Sequence, residues 1–236
     1  MQEAVKNFDI NGVKTYCFSS RQELIDYALR EKKSLLAVNA EKILHADDLT
    51  RQLFDKSIGF SDGIGAVWAL KKKGFKEAVK IPGCELWLDI IRSSYHDKTF
   101  YLVGAKQDVI EETVGKLNME FPGIRIVNYR NGYLRDGFDR RDLLNDIRQR
   151  KPDIVFVAMG SPKQEELIEE MLRAHPAVYQ GLGGSFDVYV GAVKRAPEWW
   201  VRNNLEWAYR LVRQPARIVR QIHLVKFALM LMAGRY

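Results

Sequence analysis

The chain has 236 residues, of which 47% are hydrophobic and 28% charged, a composition typical of a soluble globular protein. Two cysteines are too few for a disulfide framework, no run approaches the ~20 apolar residues of a membrane span, and the first residues lack the apolar segment of a signal peptide. These features predict a cytoplasmic location. The net charge is +7, and residues 194–236, with nine Lys or Arg and two Glu, carry all of it.

Apolar runs of strand length alternate with amphipathic segments of helix length along the chain. This alternation predicts an open, mostly parallel, Rossmann-like α/β sheet with helices on both faces. The predicted strands are 34–39, 58–61, 99–103, 125–128, 153–158 and 178–181. The predicted helices are 21–32, 47–54, 64–73, 85–95, 108–121, 140–150 and 163–174. We assign residues 1–193 to an α/β catalytic domain and residues 194–236 to a basic appendage.

Small or polar residues follow five of the predicted strands. In open α/β sheets ligands bind at the carboxyl ends of strands, and glycines there let a phosphate or a sugar approach the backbone. The alternative is that glycine is simply common in strand-to-helix turns. The candidate substrate-binding residues in these turns are Asn39, Gly63, Gly104, Gly160, Lys163, Gly183, Gly184 and Asp187.

Asp62 is the strongest catalytic candidate in residues 1–193, which we call the body of the chain. It follows a short apolar run and precedes Gly63, so it lies at the carboxyl end of a predicted strand. An acid there can act as a general base or bind a hydroxyl. The alternative is an N-cap for the next helix. Gly63 and Gly65 form only part of a dinucleotide fingerprint, because Trp68 stands where the third glycine would be.

The run from Gly160 to Glu165 joins a predicted strand to a helix. Ser161 suits the N-cap of that helix and Pro162 its first position, which leaves Lys163 and Gln164 in the first turn. The four histidines show no metal-ligand spacing, and the chain has no Asp-x-Asp motif that would hold a divalent ion on a nucleotide. We therefore expect no metal and no cofactor.

The appendage combines arginines with apolar and aromatic residues. Pro215 fits the start of a helix better than its interior. Arg210, Arg213, Arg217 and Arg220 have helical spacing, and Leu211, Ile218, Ile222, Val225 and Leu229 mark a second, apolar face. A basic amphipathic segment of this kind indicates a membrane surface, and the alternative is a solvated helix packed on the body.

Six motifs together resemble the WecG/TagA/CpsF glycosyltransferases (glycosyltransferase family 26) over nearly the whole chain. They are Asn39-Ala40-Glu41-Lys42, Asp62-Gly63, Gly160-Ser161-Pro162-Lys163-Gln164-Glu165, Gly183-Gly184-Ser185-Phe186-Asp187-Val188, Val193-Lys194-Arg195-Ala196-Pro197 and Leu205-Glu206-Trp207-x-Tyr209-Arg210-Leu211. The first and third motifs look most like the WecG branch, the transferases of enterobacterial common antigen. TagA-type members carry Thr-Pro-Asn where this chain has Ala37-Val38-Asn39, so the sugar pocket differs from theirs in detail.

The resemblance implies inverting transfer of an N-acetylmannosamine-type sugar, ManNAcA or ManNAc, from UDP. Because the chain lacks an Asp-x-Asp motif, we expect this transfer to be metal-independent. The implied acceptor is undecaprenyl-diphosphate-linked GlcNAc on the inner face of the bacterial cytoplasmic membrane. The family's proposed base falls on Asp62 and its conserved glutamine on Gln164. The arginines that reach the acceptor diphosphate or the departing UDP fall on Arg210, Arg217 and Arg220, and Lys194 and Arg195 join the substrate-binding set.

Two other functions fit parts of the sequence. A nucleic-acid-binding α/β protein could use the appendage as a basic arm, although the many apolar residues there suit lipid better. A nucleotide-dependent oxidoreductase would need the full glycine fingerprint, which is absent. We expect UDP-sugar, lipid-linked acceptor and anionic membrane as partners, no nucleic acid, and leave a homo-oligomer open.

Overall fold

A computed structural model of the protein describes residues 5–193, 197, 199–200 and 218–234, without the side chains of residues 136 and 218–222. Within these residues eight strands form two sheets. The strands are β1 (Asn7–Ile10), β2 (Val13–Tyr16), β3 (Ser34–Val38), β4 (Ile58–Ser61), β5 (Thr99–Gly104), β6 (Arg125–Arg130), β7 (Ile154–Ala158) and β8 (Val178–Gly181).

The described part of the chain also contains ten helices. They are α1 (Arg21–Glu31), α2 (Ala40–Leu44), α3 (Asp48–Asp55), α4 (Ile64–Lys72), α5 (Gly83–Ser94), α6 (Gln107–Glu120), α7 (Asp136–Arg150), α8 (Lys163–Ala174), α9 (Ser185–Val190) and α10 (Ile218–Met232). None of the helices in these residues is both long and apolar enough to cross a bilayer.

Six strands form a parallel sheet in the order β4-β3-β8-β7-β5-β6, with helices on both sides. Its central strand β7 is a continuous apolar run, and every residue of it is buried. Strand β7 pairs with β5 through Val155 and Tyr101, and with β8 through Val155 and Tyr179. Burial on both faces is what a parallel sheet requires. The predicted Rossmann-like α/β fold is therefore confirmed.

All six predicted strands and all seven predicted helices are present, with ends that shift by a few residues. The largest shift is in α7, which begins at Asp136 rather than at residue 140. Its first turn is polar and contains Gly137, so the apolar period gives no signal there. Four short elements were missed: β1, β2, α2 and α9.

Strands β1 and β2 form an antiparallel hairpin. The turn is Asn11-Gly12, and both residues have positive φ, at 57° and 78°. An Asn-Gly pair between two strand-like runs is the strongest short-range sequence signal for a two-residue hairpin. The hairpin could therefore have been predicted from residues 7–16.

The chain forms two compact units. The first contains residues 1–20, 37–82 and 194–236, so the hairpin, α2, α3, β4, α4 and α10 belong to it. The second contains residues 21–36 and 83–193. The functional division at residue 193 drawn from charge stays a prediction.

Partly buried hydrogen bonds fix strand β5 in the second unit. The Asp153 carboxylate accepts from the backbone N–H and the hydroxyl of Thr99, both at 2.9 Å. The buried Tyr101 hydroxyl donates to Asp146 at 2.7 Å, and Asn128 donates to the same oxygen at 2.6 Å. Although burial opposes ionisation, these bonds hold the pKa of Asp146 below its ordinary value.

Candidate active site

Gln164 organises the carboxyl end of β8 in the second unit. Its side chain is only 8% exposed, and its Oε1 accepts the backbone N–H of Gly183 at 2.9 Å. Its Nε2 lies 3.3 Å from Oε1 of Glu165. A Cβ at Gly181 would lie 2.5 Å from Gln164 Nε2, so the glutamine packs flat on that glycine. The structure therefore places Gln164 against the glycine-rich turn after β8.

The turn after β7 starts helix α8 differently from the prediction. The N-cap is Pro162, without a side-chain hydrogen bond, and helix α8 begins at Lys163. Ser161 as N-cap and Pro162 as first helical residue are therefore wrong. Gly160 has φ of +76°, and its carbonyl, rather than the Ser161 hydroxyl, accepts the N–H of Gln164 at 3.0 Å.

Glycines Gly160 and Gly183 both border open space. A Cβ at either position would meet no atom of the described residues within 4 Å. Lys163, at the start of α8, is exposed. These turns therefore leave backbone accessible at the carboxyl ends of β7 and β8, as the sequence predicts for a ligand-binding edge.

The backbone conformation and the packing at position 104 require a glycine. Its φ is +130°, and a Cβ there would lie 2.2 Å from the carbonyl oxygen of Ala158. Any side chain would break the close approach of β5 to β7, so Gly104 is required for the fold at this edge. This requirement does not test its predicted role in substrate binding.

Sequence reasoning missed the loop that follows β6. Its Gly132 N–H donates to the carbonyl of Ala105 at 2.9 Å, and Asn131 donates to the Gln107 side chain at 2.6 Å. The loop is thus held against the end of β5. It presents Tyr133, which is 64% exposed. An exposed aromatic residue at the carboxyl edge of an α/β sheet is the available signal, and its ring face can stack on a base.

Asp187 lies in the first turn of the short helix α9, after the glycine turn. Its Oδ2 would lie 3.9 Å from a Cβ at Gly184, and its backbone carbonyl accepts the N–H of Val193 at 3.0 Å. The carboxylate therefore lies beside Gly184, and the predicted substrate-binding roles of both residues stay predictions.

Asn39 and Asp62 meet in the first unit. The carbonyl of Val38 accepts the N–H of Asp62 at 3.1 Å and that of Gly63 at 3.4 Å. A Cβ at Gly63 would lie 3.4 Å from the Cβ of Asn39. Asn39 is itself the N-cap of α2, with its Oδ1 accepting from the N–H of Lys42 at 2.9 Å. The turns after β3 and β4 are thus neighbours.

Asp62 lies one residue before the N-cap of the helix that follows it. The N-cap of α4 is Gly63, and it makes no side-chain hydrogen bond. The Asp62 side chain is half-buried. The N-cap position predicted for Asp62 is therefore taken by Gly63, and the role of Asp62 as a base or a hydroxyl ligand stays a prediction.

Helix α10 packs against two small residues beside these turns, Gly65 and Ala40, which we call the apolar seat. A Cβ at Gly65 would lie 3.2 Å from Leu224, 3.3 Å from Phe227 and 3.2 Å from the Cβ of Ala40. Any larger residue would push α10 away. Phe227 is fully buried in this contact region. Ala40 directly follows Asn39, so α10 rests on residues adjacent to the candidate site.

Helices α10 and α4 run in the same direction. Leu224 lies at Gly65, and seven residues further along each helix the Lys72 side chain donates to the carbonyl of Leu231. With a rise of 1.5 Å per residue, the backbone of Arg220 lies about 6 Å before Leu224 along the axis. This offset brings it beyond the start of α4, the end that follows Asp62.

The other cationic candidates fall outside the described residues. They are Lys194, Arg195, Arg210 and Arg217, and for Arg220 only the backbone, within α10, is described. No cluster of three or more metal-ligating side chains occurs in the part of the chain that the structure describes.

An open parallel sheet with glycine-rich turns and a carboxylate at its carboxyl ends has the architecture of an α/β enzyme for nucleotide-bearing substrates. The chain belongs to the WecG/TagA/CpsF family of glycosyltransferases, whose family model matches residues 8–236. The family predicted from the motifs is confirmed, and the chain is a transferase. The family implies a nucleotide-sugar donor and a lipid-linked acceptor. The oxidoreductase and nucleic-acid alternatives do not describe this family.

The Gln164 contact yields a prediction about the turn after β8. In Gln164→Leu the partly buried N–H of Gly183 loses its acceptor, which costs up to about 1–3 kcal/mol. We expect amide hydrogen exchange of residues 182–185 to accelerate by about tenfold or more, while α6 and α7 keep their protection. Glu166→Leu, at an exposed position of the same helix, should leave exchange in this turn unchanged. Equal exchange in both variants would contradict the positioning role.

Proposed function

We propose that the protein is an inverting glycosyltransferase that moves an N-acetylmannosamine-type sugar, ManNAcA or ManNAc, from UDP to undecaprenyl-diphosphate-linked GlcNAc. The pathway would be bacterial surface polysaccharide synthesis, of the enterobacterial common antigen type. Family membership supports the transferase class. The observation that carries the rest is the register of α10 on α4, which brings the backbone of Arg220 beyond the helix end that follows Asp62.

The donor would bind at the strand ends of the second unit. Tyr133 offers an exposed ring for the uracil base, and Asp187 offers a carboxylate beside Gly184. The open backbone at Gly160 and Gly183, with Lys163 exposed nearby, suits a diphosphate. Gln164 would hold this arrangement by fixing the turn at Gly183. The positively charged Lys194 and Arg195 would add to the diphosphate site.

Asp62 would act as the general base. Its carboxylate takes the proton from the acceptor hydroxyl of GlcNAc as that oxygen attacks the anomeric carbon of the donor sugar. The bond between the anomeric carbon and the β-phosphate oxygen breaks, and UDP leaves with the electron pair. A single displacement inverts the anomeric centre. Asn39, beside Gly63, would contact the sugar.

Arginines would stabilise the leaving group without a metal. The departing diphosphate gains negative charge, which guanidinium groups neutralise through paired hydrogen bonds. We assign this role to Arg210, Arg217 and Arg220 of the appendage. The register of α10 supports Arg220 directly, because its backbone lies at the Asp62 end of α4.

The outward face of α10 would meet the membrane. Val225, Leu229 and Met232 are 61%, 58% and 74% exposed, and they follow one another at helical spacing. Lys226 is exposed beside them. An apolar stripe next to a cation fits an anionic bilayer, where each basic residue near the surface contributes ~1 kcal/mol. We therefore propose a peripheral location on the inner face of the cytoplasmic membrane.

The role of Asp62 can be measured by turnover. Asp62→Asn should bind UDP as the wild type does but lower kcat by ~100-fold or more, the scale of general-base loss. The assay would use UDP-ManNAcA or UDP-ManNAc and a short-chain lipid-diphosphate-GlcNAc, read by mass spectrometry, in EDTA. Asp55→Asn, an exposed aspartate of α3, is the matched control. Near-normal turnover of Asp62→Asn would remove the base role, and loss of wild-type activity in EDTA, restored by Mg²⁺, would contradict metal-free transfer.

The role of the arginines in transfer can be tested separately from membrane attachment. Arg217→Ala and Arg220→Ala should each lower kcat/KM by roughly 10- to 100-fold, since a charge-assisted hydrogen bond contributes roughly 1.5–3 kcal/mol. Lysine at either position should restore only part of the activity, because it lacks the bidentate fork. Arg173→Ala, an exposed residue of α8, is the control. Full activity of both alanine variants would limit the appendage to anchoring and move the diphosphate site to Lys194 and Arg195.

Vesicle co-sedimentation tests the outward face of α10. Val225→Glu and Leu229→Glu should each reduce binding to phosphatidylglycerol vesicles by tenfold or more, because a buried aliphatic side chain contributes ~1.5–3 kcal/mol. Met119→Glu, a similarly exposed apolar residue on α6, should bind as the wild type does. Truncation after residue 203 should abolish both vesicle binding and transfer. Unchanged binding of the glutamate variants, or stronger retention on DNA than on vesicles, would refute the membrane surface.

A further inference from the structure

Two histidines join helices α2 and α10 in the first unit. His45 is the C-cap of α2, and its Nε2 lies 3.0 Å from Nδ1 of His223 on α10. The rings are nearly perpendicular, at 81°, with centroids 4.3 Å apart. His45 is exposed and His223 half-buried. The pair is thus a hydrogen bond at the surface, where solvent protons have access to both rings.

This contact complements the apolar seat of α10. Leu224, next to His223, packs at Gly65 and Ala40. Ala40 begins α2 and follows Asn39, while His45 ends the same short helix. The histidine pair and the apolar seat therefore fix α10 at both ends of α2. The position of α10, and with it the backbone of Arg220, depends on both contacts.

We propose that His45 and His223 are positioning residues that hold α10 on α2 through the hydrogen bond between their rings, which we call the clasp. In this proposal, protonation of both rings opens the clasp. A hydrogen bond between two imidazole nitrogens needs one N–H donor and one unprotonated acceptor. One added proton leaves an acceptor on the other ring. A second proton removes the last acceptor and sets two positive charges side by side. The clasp is therefore closed at neutral pH and is lost as the pH falls.

The charged residues on the surrounding elements are of both signs. Helix α2 carries Glu41 and Lys42, α4 ends with Lys71 and Lys72, and α10 carries Lys226 close to His223. Of the two acids after His45, Asp47 accepts from the Thr50 N–H at 2.8 Å and Asp48 pairs with Arg51 at 3.1 Å. The lost acceptor and the repulsion between the two rings, not the charge of the surroundings, therefore open the clasp.

The clasp can be followed without substrate. Amide hydrogen exchange of residues 224–232 would be compared between the wild type and His45→Gln/His223→Gln at pH 8 and at pH 5, which cancels the intrinsic effect of pH on exchange. Histidine is the side chain that changes charge in this window. We expect the wild type to lose about tenfold more protection than the double variant between pH 8 and pH 5, the scale of like-charge repulsion at this distance.

Two further variants make the test decisive. His96→Gln removes a histidine at the end of α5 and should behave as the wild type does. His45→Glu replaces one ring by a carboxylate that attracts protonated His223, so protection of α10 should rise, not fall, at pH 5. Far-UV circular dichroism would confirm that each variant is folded. Equal losses in the wild type and the double variant, or a His45→Glu variant that follows the wild type, would overturn the clasp.

The effect on activity rests on the proposed function, because only then does α10 carry groups of the active site. Turnover at low pH should fall more steeply in the wild type than in the double glutamine variant. If exchange shows the clasp but turnover does not follow it, the clasp stands and the role of α10 in transfer fails. If exchange shows no clasp, the assignment of Asp62 and the arginines is unaffected.

Discussion

Burial of a parallel sheet on both faces is the constraint that decides where this protein can do chemistry. All residues of β7, and all but the first of β5, are buried, so their side chains form core and their backbone groups are used by neighbouring strands. Polar groups cannot be placed in the middle of such strands without a large desolvation cost. Every candidate residue among residues 1–193 therefore lies at the end of a strand, in the turn after it, or in the first turn of the next helix.

The same turns must also hold the fold together, and several candidate residues serve both needs. Asn39, which we propose contacts the sugar, also caps α2 with its side-chain oxygen. Gln164 uses its carbonyl oxygen for Gly183. Gly104 is required by the approach of β5 to Ala158. Motif residues in such a site therefore also support the local backbone geometry. Loss of activity after substitution does not by itself identify a group that touches substrate.

The sequence predicts the larger elements because the spacing of apolar residues follows which side chains are buried. The six strands of the main sheet give the strongest signal of this kind. It does not predict α2 or α9, since five and six residues are too few to show a helical period. The N-cap at Ser161 was wrong because the positive φ of Gly160 turns its own carbonyl toward Gln164, a choice that composition does not reveal. The loop with Tyr133 was missed because no period or motif marks it.

The pairing of the two turns after β3 and β4 could be expected from strand order, but the position of α10 could not. Residue spacing marks Val225 and Leu229 as one apolar face, and the structure shows that this face is exposed. The contact with the body uses a different set, Leu224, Phe227 and Leu231, which spacing alone does not separate from the first.

Helix α10 thus has two apolar faces with separate partners. Phe227 and Leu231 are buried on the body, and complete burial of such side chains contributes about 1.5–3 kcal/mol each. The exposed stripe of Val225, Leu229 and Met232 is free to meet a second surface without giving up this contact. A helix of this kind does not have to leave the body in order to bind lipid. Docking and membrane binding are then compatible, because they use different side chains of the same helix.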